Sequence, residues 1–487
     1  MIRIVDVLTR LESHGLLAQP VPRTELAVSG VSDDSRQVRP GDLYCAIRGY
    51  VHDGHRFLKH AAEAGATAAL VEAPDAGLDL PQFQVADSRR AAAVAAQVVL
   101  GDPAAGLRLI GVTGTNGKTT TVHIARHVLS TSGACGSLGT LGSVTASGQR
   151  IASDLTTPGP IEFAQRLAQL RDDGVECVVA EVSSHALAQS RVDGVVFDFG
   201  VFTNLSRDHL DYHSGFDEYR ATKLRLVNLV RADGVLVVNA DEPAWSGLGE
   251  GRRVVRFGIE DAADYRARDV VLSAAASSWT LETPHGTREV GLPLLGEFNV
   301  SNALAAAAVA GESGLDLDAI VAALASVPAV PGRLEVLSRE PFVLRDYAHT
   351  PDALRRTLSA LRPLVKDRLI CLFGCGGDRD RGKRPMMGRV AAELADYIIV
   401  TSDNPRTEPP EAIIAEILPG LQGATFERVD NRRAAIVRAL ELAEPGDAVL
   451  LAGKGHEDYQ VIGTEKRPFD EAVVVREILS SSVRGSR

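Results

Sequence analysis

Cysteine is scarce: five residues in 487, Cys45, Cys135, Cys177, Cys371 and Cys375. They are too few and too scattered for a disulfide framework, and no CxxC pair offers a structural zinc site. The closest two, Cys371 and Cys375, read as packing and loop around a strand end. Long apolar runs are also missing. None approaches the roughly 18 residues that a membrane-spanning helix needs. The opening Met1-Ile2-Arg3-Ile4-Val5-Asp6-Val7-Leu8 has an acid inside its apolar stretch and no small-residue cleavage site. A signal peptide is therefore not expected, and the cytosol is the expected compartment. A basic surplus is absent as well: 52 Lys and Arg against 63 Asp and Glu leave a net charge of −11. With no basic block, nucleic acid and membrane surfaces are poor candidate partners. Internal repeats and low-complexity segments are lacking. What remains is a chain with 45% hydrophobic and 24% charged residues, a balance that can bury a sizeable core. At about 150 residues per domain its length predicts about three domains.

Three stretches differ in pattern. Residues 1–107 contain short elements, with turn-rich Val31-Ser32-Asp33-Asp34-Ser35-Arg36 and Arg39-Pro40-Gly41-Asp42. An Ala-rich helix is expected over 88–100, and Gly101-Asp102-Pro103 reads as a break. From 108 onward, apolar runs at 107–113, 175–180, 195–202 and 235–238 alternate with helical periodicity, which predicts an α/β fold with a mostly parallel sheet. Val327-Pro328-Ala329-Val330-Pro331-Gly332 marks a second boundary. Beyond it, strands expected at 369–373, 397–400 and 448–451 each run into a polar loop. These loops are Gly374-Cys375-Gly376-Gly377-Asp378-Arg379-Asp380, Ser402-Asp403-Asn404-Pro405-Arg406 and Ala452-Gly453-Lys454-Gly455-His456-Glu457. Ligands of parallel α/β sheets bind beyond the carboxyl ends of the strands, so three such loops predict a binding site.

The sharpest single signal is Gly111-Val112-Thr113-Gly114-Thr115-Asn116-Gly117-Lys118-Thr119-Thr120, placed between an expected strand and a helix. Such a turn closes its backbone N–H groups around phosphate oxygens at a helix N-terminus. Lys118 would reach the β- and γ-phosphates of a nucleoside triphosphate, and the Thr119 hydroxyl would ligate Mg²⁺. The strict phosphate-loop pattern has its first glycine where this chain has Val112, so the match is to a variant of it. Glu181, in Glu181-Val182-Ser183-Ser184-His185, ends a strand where a Mg²⁺ ligand would be useful. Thr203-Asn204-Leu205-Ser206-Arg207-Asp208-His209-Leu210-Asp211-Tyr212-His213 ends the next strand with further candidate ligands. Lys223 reads as an ordinary helix-surface lysine; residue pattern does not single it out.

These motifs, with Asp346-Tyr347-Ala348-His349-Thr350-Pro351-Asp352 and the three C-terminal loops, resemble the Mur ligases over essentially the whole chain. Those enzymes form amide bonds at the expense of ATP and build the peptidoglycan stem peptide, on which cell shape and division depend. The phosphate loop alone is shared with folylpolyglutamate synthetases; the other motifs resemble the members that add the third stem residue. The resemblance implies a three-domain α/β fold. Residues 1–107 would hold the uridine end, 108–331 would form a central P-loop ATPase domain around a parallel sheet, and 332–487 a Rossmann-like domain carrying the incoming amino acid.

It also implies residue roles. Ser35 and Tyr50-Val51-His52 would touch UDP. Thr156, Thr157, Ser183, Gln189 and Arg191 would contact UDP-N-acetylmuramoyl-L-alanyl-D-glutamate. Gly114, Thr115, Asn116, Gly117, Lys118, Thr119, Thr120, Asn299 and Arg333 would bind ATP as co-substrate. Thr119, Glu181 and His209 would ligate Mg²⁺, together with Lys223 as an N-carboxylysine whose carbamate derives from CO₂. A carbamate would present an oxygen to a hard cation where an ammonium would be repelled. Lys118, Lys223 and His209 would be the catalytic group, His209 as a ligand rather than a general base. Arg379, Asp403, Asn404, Pro405, Arg406, Gly453 and Glu457 would hold meso-diaminopimelate.

Overall fold

Runs of buried Val, Ile and Leu make most strands, and the principal sheets are largely parallel, so the loops after their strands fall at one edge of each sheet. The computed structural model describes residues 1–49, 52–208, 212–260 and 262–485. They form two units: residues 1–266, 283–285 and 302–320 in the first, and 267–282, 286–301 and 321 onward in the second. Among the described residues no helix is long and apolar enough to cross a membrane, and the five cysteines are free thiols.

In the first unit, strands Gly30–Ser32, Asp42–Cys45, Ala68–Val71 and Gln82–Gln84 form a parallel sheet in chain order. The expected Ala-rich helix is Ser88–Val99. The Asp87 carboxylate caps it, accepting from the N–H groups of Arg89 and Arg90. Its small side chains Ala91, Ala92, Ala95 and Ala96 are fully buried, which lets helix Ile4–Ser13 pack close beside it.

The sheet that follows has Arg108–Thr113 in its middle. Its parallel strands lie side by side in the order Cys135–Gly139, Cys177–Glu181, Arg108–Thr113, Phe197–Phe202, Val230–Asn239 and Arg253–Gly258. The antiparallel strands Gly142–Val144 and Arg150–Ile151 continue it beyond Cys135–Gly139. Later strands flank Arg108–Thr113 on both sides, so a ligand crevice opens at its carboxyl end. Leu109, Val178, Phe197, Leu236 and Val238 pack with Leu167, Leu170 and Leu226 of the covering helices. Each fully buried side chain of this size contributes about 1.5–3 kcal/mol. The four strands expected here are present. The last begins at Val230 rather than 235, because exposed Arg231, Ala232 and Asp233 interrupt its apolar run.

In the second unit the strands lie in the order Glu335–Arg339, Phe342–Asp346, Ala448–Ala452, Leu369–Phe373, Tyr397–Val400 and Phe426–Arg428, parallel except for the first. Both faces are covered. Leu344, Cys371, Ile398 and Leu450 point into one core with Leu354, Leu358 and Ile414. Val343, Ile370, Ile399 and Val449 point into the other with Ile436 and Val474. Burial on both faces explains why these strands read as unbroken apolar runs. The three polar loops emerge together at the carboxyl edge, as expected.

Candidate functional site

The phosphate loop is braced by the motif after strand Phe197–Phe202. Thr115 N donates to Asn204 O at 2.8 Å, Asn116 N to Asn204 Oδ1 at 2.9 Å, and Thr203 Oγ1 to Asn116 O at 2.8 Å. Gly114 has φ 150°, and a Cβ there would stand 1.9 Å from Thr203 Oγ1, so only glycine allows this approach. Helix Lys118–Leu129 starts immediately after Gly117 and aims its N-terminal N–H groups at the loop. Lys118 Nζ donates to the carbonyls of Gly114 and Thr115 at 2.9 and 2.8 Å. Asn302 Oδ1 accepts from Thr121 Oγ1 at 3.2 Å and closes the other side of Gly117.

Glu181 is 2% exposed at the end of its strand. Its Oε2 accepts from Thr119 Oγ1 at 3.0 Å, and Thr140 donates to both carboxylate oxygens. Gly139 makes room for it: a Cβ there would lie 2.3 Å from Glu181 Oε1. Among the described residues no group of three or more His, Cys, Asp or Glu could hold a metal, and His209 lies outside those residues. What is built is a pair of adjoining hard oxygen donors, Thr119 Oγ1 and Glu181 Oε2. That suits Mg²⁺, which takes one or two carboxylates and completes its shell with phosphate and water.

Lys223 is not the surface residue its pattern suggests. It lies in helix Phe216–Leu229 yet is 1% exposed. Its Nζ donates to Gly114 O at 2.8 Å and sits 4.5 Å from the centre of the Tyr219 ring. Burial, and then the nearby charge of Lys118, push its amine well below the ordinary lysine value, with Asp208 opposing.

Four of the five residues expected at the sugar dipeptide meet beside Glu181. Thr157 Oγ1 donates to Glu181 O at 2.8 Å and lies 3.3 Å from Ser183 Oγ. Arg191 donates to Thr157 O at 2.6 Å and to Gln189 Oε1 at 2.8 Å. Burial lowers its guanidinium from the ordinary value. The fifth, Thr156, joins through Thr140, whose hydroxyl is 3.1 Å away. Ser35 is buried in the N-terminal segment, with His60 Nδ1 3.1 Å from its hydroxyl. Tyr50 and Val51 lie outside the described residues, and His52 is exposed.

In the second unit the remaining candidates come together at the loop edge. Asn404 Nδ2 donates to Glu457 Oε2 at 2.8 Å, and a Cβ on Gly453 would lie 3.3 Å from Asp403 Oδ2. Arg406 donates to Gly377 O at 2.8 Å and, with Arg379, flanks Gly376. Arg406 holds φ 52°, a left-handed conformation uncommon for a residue with a side chain and typical of functional loops. Asp403 Oδ1 is buried without a hydrogen-bond donor. Arg333 stacks its guanidinium 4.8 Å from the Tyr347 ring, and Asn299 Nδ2 donates to Leu295 O at 2.8 Å.

Comparison with known proteins decides the family. The profile of the "Mur ligase middle domain" matches residues 112–310, that of the "Mur ligase, glutamate ligase domain" residues 332–455, and that of the "Mur ligase family, catalytic domain" residues 27–108. The chain belongs to the Mur ligase family. This Mur ligase is 44% identical over 485 residues to the UDP-N-acetylmuramoyl-L-alanyl-D-glutamate–2,6-diaminopimelate ligase of Gloeobacter violaceus, covering 98% of both chains. To the protein of the same description from Bacillus velezensis it is 40% identical over 480 residues, covering 96% of this chain and 97% of that one. A solved structure of such a ligase matches with TM-score 0.68 and 34% identity, over 97% of this chain and 99% of that one.

Sequence reasoning passed over Thr140, Tyr219 and Lys454 of this Mur ligase. Thr140 had a usable signal, since it follows directly on a strand of the parallel sheet, and so had Lys454, which lies in a polar loop after another; Tyr219 had none.

Proposed function

We propose that this Mur ligase adds meso-diaminopimelate to the side-chain carboxylate of the D-glutamate in UDP-N-acetylmuramoyl-L-alanyl-D-glutamate, with conversion of ATP to ADP and phosphate, in peptidoglycan synthesis. The observation that carries the reading is the pairing of opposite charges at one loop edge: Arg379 and Arg406 beside Asp403 and Glu457. The far end of diaminopimelate is itself zwitterionic. Arg406 can grip its carboxylate bidentately, and Asp403 Oδ1, which accepts no hydrogen bond within the protein, accepts its ammonium. The whole-length similarity to ligases described by this reaction supports the same choice.

In the first step a carboxylate oxygen of the D-glutamate attacks the γ-phosphorus and ADP leaves, giving an acyl phosphate. Catalysis here is positioning and charge neutralisation. Thr157, Ser183, Gln189 and Arg191 hold the dipeptide next to Glu181; Lys118 and the loop N–H groups hold the phosphates. Mg²⁺, when bound, neutralises phosphate charge, and Thr119, Glu181, His209 and a carbamylated Lys223 would hold it. In the second step the free amine of diaminopimelate attacks the acyl carbon, phosphate departs and the nitrogen loses a proton. Asn299 and Arg333 belong to the nucleotide contacts in this reading, and Ser35 to the UDP contacts.

The test is ADP release by the purified protein with each substrate omitted in turn. Release that needs both the UDP-linked dipeptide and diaminopimelate, with a UDP-linked tripeptide as product, is expected. Release indifferent to both would overturn the proposal.

A further inference from the structure

Lys454 sits between two glycines in a loop, where a lysine is ordinarily solvated. Here its side chain is 0% exposed. Its ammonium lies 3.1 Å from Asn404 Oδ1, 3.3 Å from Glu457 Oε2 and 3.6 Å from Asp403 Oδ1. Three of the residues assigned to diaminopimelate thus converge on one buried cation. The rest of the cluster is tied to backbone: Val461 N donates to Asn404 Oδ1 at 3.0 Å, and Gln460 Nε2 to Asp403 O at 2.7 Å. Glu457 is engaged by both Asn404 and Lys454. Asp403 Oδ1 stands just beyond hydrogen-bond reach of the ammonium and has no donor.

A charge taken out of water must be paired. Here two carboxylates share one ammonium, leaving the cluster one negative charge in excess. We propose that Lys454 is a positioning and specificity-determining residue, which fixes Asp403, Asn404 and Glu457 in one arrangement and cancels one of the two carboxylate charges. The pocket then offers one negative charge for one ammonium, beside the Arg406 guanidinium for one carboxylate. That matches the zwitterionic end of a diamino diacid. Without Lys454 the excess doubles, and a side chain ending in a bare ammonium, such as that of lysine, gains relative to one that also carries a carboxylate. This deepens the function proposed above and rests on it.

The experiment uses the full chain, ATP and UDP-N-acetylmuramoyl-L-alanyl-D-glutamate, with meso-diaminopimelate or L-lysine as the varied amine, in wild type, K454M, K454R and K454M/E457Q. In K454M the KM for diaminopimelate is expected to rise about tenfold, equivalent to ~1.4 kcal/mol, with the KM for ATP unchanged. The diaminopimelate-to-lysine ratio of kcat/KM is expected to fall about tenfold, the same free-energy difference. K454R, which keeps the charge, should retain most of the ratio. K454M/E457Q restores the excess to one and should recover part of the ratio, and it carries the test if K454M does not fold. Unchanged KM and ratio in K454M overturn the proposal. So does a uniform loss for both amines and ATP with no recovery in the double variant, which would mark a merely structural lysine. Wild type without diaminopimelate-dependent ADP release overturns the functional reading and this role with it. Wild type with such release and an unaltered K454M overturns this role alone.

Discussion

A lysine 1% exposed and placed beside a second lysine is poorly suited to remain an ammonium. Burial and the Lys118 charge both lower the Lys223 amine from its ordinary value, which enlarges the neutral fraction near pH 7. The neutral amine is the form that adds CO₂, giving a carbamate and releasing a proton, so the same burial that disfavours the cation favours the modification. The carbamate would supply an oxygen at the phosphate loop, where Lys223 Nζ meets Gly114 O. We expect Lys223→Ala to lower turnover about 100-fold or more, the scale for removing one electrostatic partner of a reacting centre. Acetate or formate should restore part of it by supplying the missing oxygen. Native mass spectrometry should find the mass of one CO₂ on the wild-type chain. Failure of rescue together with an unmodified Lys223 would remove this residue from the metal site.

At the scale of elements, buried ion pairs hold the loops of the second unit in place. Arg432 and Glu471 are both 0% exposed, and Arg432 also donates to Ser402 O and Ala452 O, at the ends of the two strands that flank Leu369–Phe373. Arg384, also 0% exposed, is bound by Glu408 and Glu416, and Glu408 accepts from Asp378 N in the first polar loop. The Arg384 hydrogen bonds, and then the Asp378 N–H, hold the Glu408 carboxyl down at about 2 against an ordinary 4.5. A carboxyl depressed in the folded state contributes stability that is present above its unfolded value and is lost as pH falls through its folded one. Thermal melts of wild type should therefore lose stability between pH 4.5 and about 2 more steeply than those of Glu408→Gln, and the variant should be the less stable at pH 7. Parallel pH curves would show that Glu408 contributes nothing.

The same scale shows what was legible. Strands 369–373 and 397–400 are found where their apolar runs predict them, because burial on both faces leaves no polar position to blur them. Tyr265–Leu272 and Gly286–Leu292 were not singled out, because exposed residues such as Arg268 and Asp269, or Thr287 and Arg288, break their runs. Glu181 could be read because it ends a strand of a parallel sheet. Residue pattern marks neither Lys223, to which only the family resemblance points, nor Lys454 within its loop, since what makes them chemically special is their burial.

For the whole molecule the puzzle is charge. A chain of net charge −11 is proposed to take a triphosphate and a nucleotide-linked sugar peptide, both anionic, and an amino acid with two carboxylates, so attraction has to be local rather than global. The cations that can supply it are few and placed by the fold: Lys118 at the phosphate loop, Arg191 beside Thr157, Arg379 and Arg406 around Gly376. Each ligand should then quiet its own loops, since a ligand that binds the folded state raises the free energy of local opening where it is held. Hydrogen exchange on the intact protein tests this. ATP with Mg²⁺ should slow exchange over 113–121, and the UDP-linked dipeptide over 156–157 and 183–191. Meso-diaminopimelate should slow exchange over 374–380, 402–408 and 453–463. The last set is the most exacting, because its amides lie on three loops far apart in sequence that only a shared ligand would protect together. Protection of 113–121 by diaminopimelate, with 402–408 unaffected, would place the amino acid at the wrong loops and take with it the roles given to Asp403, Arg406 and Lys454.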